Sequence, residues 1–229
     1  MKLIAIASLV GLTFVAGSAS ATSYEMVIEN LVPGGPATGQ PLSPPVVAIH
    51  SNGYRLFEVG HAGTPGLDLL AREGIPDDLA LEAEQPTSVF QVLVGSGPFY
   101  DPQTIRFDAD PGDLLSVAMM LGRTNDLFTG ISAEELPSSG ERVFYTDAYD
   151  AGAEVNSGLV QDIPFYGNHN AGADERGTVA VVNSYSVYDD PLYGQLDWTF
   201  PPAARITVRV LGPTAAQETT WGEVRALYR

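Results

Sequence analysis

The stretch ARITVRVL, residues 204–211, alternates without a break: Ile206, Val208 and Val210 point one way, and Arg205, Thr207 and Arg209 the other. A side-chain period of two marks a half-buried strand, with one face on a core and one in water. The same period runs through YEMVIENL (24–31), where Tyr24, Met26 and Ile28 oppose Glu25, Val27 and Glu29. VVAIH (46–50) and YRLFEVG (54–60), around an SNG turn, read as two more strands. So do SVFQVLV (88–94), TIRFDAD (104–110), GTVAVVNSYSV (177–187) and QLDWTFP (195–201). LLSVAMML (114–121) is almost wholly apolar and predicts a central strand buried on both faces. About eight short strands separated by turns, without a regular strand–helix alternation, predict an all-β antiparallel sandwich.

Helical signals are few. TPGLDLLAREG (64–74) places Leu67, Leu70 and Ala71 at i, i+3 and i+4, with Pro65 near its start and Gly74 at its end. PDDLALEAEQ (76–85) predicts a second short helix, acidic at its N-terminus as the helix dipole favours. VPGGPATGQPLSPP (32–45) reads as a Pro/Gly loop without regular structure. The last residues, PTAAQETTWGEVRALYR (213–229), read as a polar, partly helical tail.

Composition narrows the function classes. The 229 residues carry 28 acidic and 11 basic side chains, a formal net charge of −17. Such a chain has few cations with which to neutralise a nucleic-acid backbone, so a duplex-binding role is excluded. An anionic membrane surface would also repel it unless a cation bridged the two. The only lysine is Lys2. There are no cysteines, which removes disulfides, thiolate nucleophiles, Fe–S clusters and Cys-type zinc sites. High salt is one setting that tolerates this acidity, because screening weakens self-repulsion.

MKLIAIASLVGLTFVAGSASA (1–21) has a basic Lys2, an apolar run and an Ala19-Ser20-Ala21 ending, the pattern of a cleaved signal peptide. The expected mature chain starts at Thr22, with a folded domain over 22–212 and a tail over 213–229, in an extracellular or periplasmic setting. No later stretch approaches the ~20 apolar residues of a membrane helix.

Two acidic loops carry the chemistry. YDAGAEVN (149–156) sets Asp150 and Glu154 around Gly152, and TNDLFTG (124–130) carries Asp126. Solvated turns, a metal site and a catalytic pair all use such residues. LSPPVVAIHSNGYRLFEVGHAGTPGLDLLAREG (42–74) resembles the opening of the spondin domain, prokaryotic members included. LLSVAMMLGRTNDLFTGISAEEL (114–136) and YDAGAEVN resemble, in the same order, two later segments of that family. The resemblance covers roughly residues 24–210 and implies an eight-stranded, C2-like antiparallel sandwich. It further implies one calcium ion (Ca2+) bound by loops at one end, with Asp126, Asp150 and Glu154 as the carboxylate ligands. Leu127 and Tyr149 stand where the family has tryptophan, and Glu154 stands where it has aspartate. Calcium takes six to eight oxygens, and backbone carbonyls and water would complete its shell.

DADPGD (108–113) looks like a calcium loop, but an EF-hand continues for twelve residues to a glutamate, whereas Leu114 and Leu115 here enter a strand. It reads as a turn. His50, His61 and His169 are not spaced as a zinc helix. His50 reads as a hydrogen-bonded structural or binding-face residue, and His169 as an exposed or catalytic one. Neither a nucleophile elbow nor a phosphate loop is present.

Three function classes follow. The favoured one is a secreted, calcium-binding module for adhesion or recognition, without catalytic residues, whose extracellular partner is a glycan, lipid headgroup or protein. The second is a hydrolase of extracellular polysaccharide using an acid pair or His169. The third is a structural component of a surface layer or matrix.

Overall fold

The protein is described by a computed structural model over residues 21–213. The expected leader, except Ala21, and the expected tail, except Pro213, lie outside the described residues. Among these residues twelve strands, three short α-helices and two single-turn 3-10 helices (Val160–Asp162 and Pro164–Tyr166) follow one another. They run β1 (Thr22–Asn30), α1 (Gly35–Thr38), β2 (Val46–His50), α2 (Pro65–Glu73), α3 (Asp77–Ala83), β3 (Val89–Val94), β4 (Gln103–Ala109) and β5 (Leu114–Met120). After them come β6 (Leu127–Glu135), β7 (Glu141–Tyr145), β8 (Ala148–Asp150), β9 (Ala180–Val182), β10 (Ser184–Asp190), β11 (Gly194–Thr199) and β12 (Ala204–Pro213).

The strands form an all-β sandwich. A four-stranded sheet has the order β4-β1-β12-β7, and a six-stranded one the order β3-β2-β5-β6-β8-β9, with every pairing antiparallel. β10 and β11 make a separate hairpin. The two larger sheets meet over one core. Tyr24, Met26 and Ile28 of β1 and Ile206 and Val208 of β12 face Val47, Ile49, Leu115, Val117 and Met119 of the other sheet. These are the apolar phases of the alternating segments.

The six-stranded sheet is covered on its other face too. Val46, Ala118 and Phe128 pack there against Leu67, Leu70, Ala71 and Leu79 of α2 and α3. All five residues of β2 are therefore buried, and β5 is the doubly buried strand that its apolar run predicts. α2 forms as its residues dictate. Thr64 accepts the Leu67 N–H at 3.2 Å, and Gly74 ends the helix in the left-handed region at φ 68°.

Four expectations change. The Pro/Gly loop of residues 32–45 contains the one-turn helix α1. Residues 54–60 are not a strand. β2 already pairs with β3 on one side and β5 on the other, so a hairpin partner has no edge left to join. Leu56 and Phe57 fill the second core instead. The segment 177–187 divides at Asn183 into β9 and β10, which belong to different sheets. Strands β6, β7 and β8 were not among the expected strands, so the count of about eight rises to twelve. DADPGD is a turn between β4 and β5, closed by Asp113 N–H to the Asp110 carbonyl at 3.1 Å and Asp110 N–H to Asp113 Oδ2 at 2.9 Å. Among the described residues no helix is long and apolar enough to cross a membrane.

Candidate functional site

The register of β6 against β8 builds the candidate site. Leu127 pairs with Asp150, so Asp126, one residue before β6, lies beside the end of β8, and Ala151 N–H donates to the Asp126 carbonyl at 3.1 Å. The chain then turns at Gly152, at φ +71°. A side chain there would meet the backbone of Gly177 and Thr178 at 2.7 Å, so only glycine fits. The turn aims three N–H groups at carboxylates. Gly152 donates to Asp150 Oδ1 at 2.6 Å, and Ala153 and Glu154 donate to Asp126 Oδ2 at 2.7 and 2.8 Å.

Asp126 is fully buried, and its Oδ1 has no hydrogen-bond partner. The Asp150 carboxyl lies within hydrogen-bonding reach of it. Burial, reinforced by the Asp150 charge, pushes the Asp126 carboxyl up to about 7, against the two N–H bonds that favour its ionised form. Burial also raises Asp150, whose Oδ2 accepts from Asn156 at 2.7 Å. Two like charges this close share a proton or a cation, since both carboxylates cannot stay bare in a buried site.

Glu154 is placed differently. Its side chain is buried, but Arg72 of α2 reaches it with Nε and Nη2, each 2.7 Å from Oε1. Arg72 also meets Asp174 at 3.2 Å. Burial raises the Glu154 carboxyl while the Arg72 charge opposes that rise. The structure thus brings Asp126 and Asp150 together and turns Glu154 to a cation of the protein's own. Among the described residues no group of three or more His or acidic side chains converges to hold a metal ion. The donor set fits a cation in part: an orphaned buried oxygen and a second carboxyl beside it suit calcium, and Glu154 does not.

The aromatic substitutions find apolar roles. Leu127 is in the sandwich core, and Tyr149 stacks on Phe128 at 5.3 Å and meets Phe57 at 5.0 Å. His50 is buried, with Nε2 2.8 Å from Ser116 Oγ and Nδ1 2.9 Å from the Ser51 carbonyl. Burial lowers its pKa. His169 is mostly exposed and joins Glu73 at 2.7 Å through Nδ1, and no hydroxyl among the described residues bonds its other nitrogen.

Sequence reasoning missed Arg72 and Arg123. The available signal was scarcity: where basic residues are few, an arginine among apolar neighbours is worth pairing with an acid. Arg123, in GRTND beside Asp126, is buried and stands 3.9 Å from Asp190. No protein-family model and no curated protein matches the chain.

Proposed function

We propose that the chain is a secreted recognition or adhesion module, built on a β-sandwich, whose loop end binds one calcium ion through Asp126 and Asp150. The observation that carries the reading is the buried, unpartnered Oδ1 of Asp126 beside a second carboxyl. An ion there relieves the like-charge contact, and calcium accepts the irregular oxygen sets that loops supply. Backbone carbonyls and water would complete its shell. Glu154 is left out of the proposed ligand set because Arg72 holds its Oε1. The resemblance to the spondin domain in the same two loops supports the reading, and the leader pattern of residues 1–21 supports secretion.

The reading is non-catalytic. Asp126 exposes no surface to a substrate. His169 has a carboxylate partner in Glu73, and no hydroxyl among the described residues bonds it. Calorimetric titration of chelator-treated protein with calcium tests the proposal. One site per chain is expected, with affinity in the ~10⁻⁴–10⁻³ M range of extracellular modules, lost in Asp150→Asn and kept in Glu154→Gln. Absence of binding, or equal binding by Asp150→Asn, contradicts it.

A further inference from the structure

We propose that the recess between the β10–β11 hairpin tip and the Pro164–Tyr166 turn binds a pyranose ring of a neutral glycan, an inference that rests on the recognition-module reading and names its ligand class.

The recess is held in shape by buried charges. Asp190 Oδ1 accepts the N–H groups of Leu192 and Tyr193, each at 2.9 Å, and its Oδ2 accepts the Tyr166 hydroxyl at 2.7 Å. Burial would raise the Asp190 carboxyl, but these donors and Arg123 outweigh it and hold the group below its usual range. The hairpin tip is thereby locked with Leu192 82 % exposed and Tyr193 47 % exposed. Opposite stands Phe165, 43 % exposed, with the Arg123 guanidinium 4.3 Å from its ring centre. Arg123 itself is only 4 % exposed. It donates to the carbonyls of Pro36 and Ala37 at 3.1 and 3.0 Å, while its Nε–H has no acceptor.

These facts select the ligand. The cavity measures about 290 Å³, at the lower edge of the ~300–1,000 Å³ of ordinary pockets, which suits one ring and not a long side chain. The Asp190 oxygens and the Pro36 and Ala37 carbonyls are engaged, and one donor, the buried Arg123 Nε–H beside the Phe165 ring, is left without an acceptor. A ligand must bring an oxygen to the donor and a flat C–H surface to the aromatics. A pyranose does both, and its other hydroxyls face water. A free anion is disfavoured, because Asp190 offsets the arginine locally and the chain carries −17 overall. A proline-rich peptide offers rings and carbonyls too, but its extended helix needs a long groove. Phe165 also walls a neighbouring cavity of about 170 Å³ near His169. For the ligand oxygen to reach Nε–H, Phe165 must turn off the guanidinium, toward that cavity.

Affinity electrophoresis of the full chain through gels containing β-glucan, galactomannan or xylan tests this, with a proline-rich peptide measured in parallel by calorimetry. At least one of the polysaccharides is expected to retard the wild type, in chelator as in calcium. Tyr193→Ala and Phe165→Ala are each expected to weaken retardation about tenfold, the loss of one stacked ring, beyond any change in folded fraction read from the thermal midpoint of each variant. Retardation by none of the three, retardation unchanged in both variants, retardation abolished by chelator, or binding of the peptide alone overturns the inference. The calcium response of the same sample is read separately, so the module can stand where the glycan falls.

Discussion

Arg72 and Glu154, 82 residues apart in sequence, meet side on, with Nε and Nη2 of the guanidinium both 2.7 Å from Glu154 Oε1. That contact joins α2 to the acidic loop and engages Glu154 Oε1 with a cation of the protein's own. Its loss should be asymmetric. Arg72→Met leaves a buried carboxylate without its cation and is expected to cost about 2–4 kcal/mol. Glu154→Gln leaves a partly exposed arginine that water and Asp174 can satisfy, and should cost less. Urea unfolding at neutral pH checks the order, and equal losses would contradict it.

Asp126 makes stability fall as pH rises. Its folded pKa, about 7, lies above the usual carboxylate value. Between about pH 4 and pH 7 the folded state keeps a proton that the unfolded state has released, so raising pH through that window costs stability. His50 acts in the opposite sense: its pKa is lowered, so stability is lost as pH falls below about 6.5. The difference between wild type and Asp126→Asn cancels the histidine. In chelator that variant is expected to match or exceed the wild type above pH 7 and to lose its advantage near pH 4, as read by urea midpoints across pH.

Gly152 should tolerate no side chain. Gly152→Ala adds a left-handed strain to a contact of 2.7 Å with the Gly177 and Thr178 backbone. A loss of about 2–3 kcal/mol is expected, with calcium affinity weakened alongside it because the turn aims Ala153 and Glu154 N–H at Asp126. A variant as stable as wild type would show that the turn is not held as described.

Ser116 ties three elements. Its Oγ lies 2.8 Å from His50 Nε2 and accepts the N–H of Ala133, which sits at φ 58° where the β5–β6 register shifts. Ser116→Ala orphans two buried groups and is expected to cost about 1–3 kcal/mol by thermal or urea unfolding. Ala133→Gly is expected to be neutral or stabilising, since glycine adopts that backbone freely.

The sandwich was legible in the long strands with one wet face, whereas β7, five mostly exposed residues, was missed. β1 and β12 alternate because one side of each meets the core, and their bounds come out within a few residues. β6 and β8 were not legible, since β6 begins as five buried residues that include Gly130, and β8 has three residues in all. A strand that short has no period to read. Residues 54–60 misled for another reason: they are a short, largely apolar run after a turn, but both edges of β2 are taken. At the site, Asp126 and Asp150 were expected together only through the resemblance to the spondin domain, since the two loops by themselves left solvated turns, a metal site and a catalytic pair open. The diversion of Glu154 was not legible, because its partner comes from a helix whose docking on the sheet is a tertiary fact.

The most direct measurement is the thermal midpoint at pH 8 in calcium, magnesium and chelator, for wild type, Asp126→Asn and Asp150→Asn. At ten times the dissociation constant, calcium should stabilise the wild type by about 1.4 kcal/mol, or ~3–6 °C, with magnesium doing less. Asp126→Asn should start at or above the wild type in chelator, because the buried like-charge contact is gone, and neither variant should respond to calcium. A wild-type midpoint indifferent to calcium, or variants that respond as the wild type does, would contradict the account.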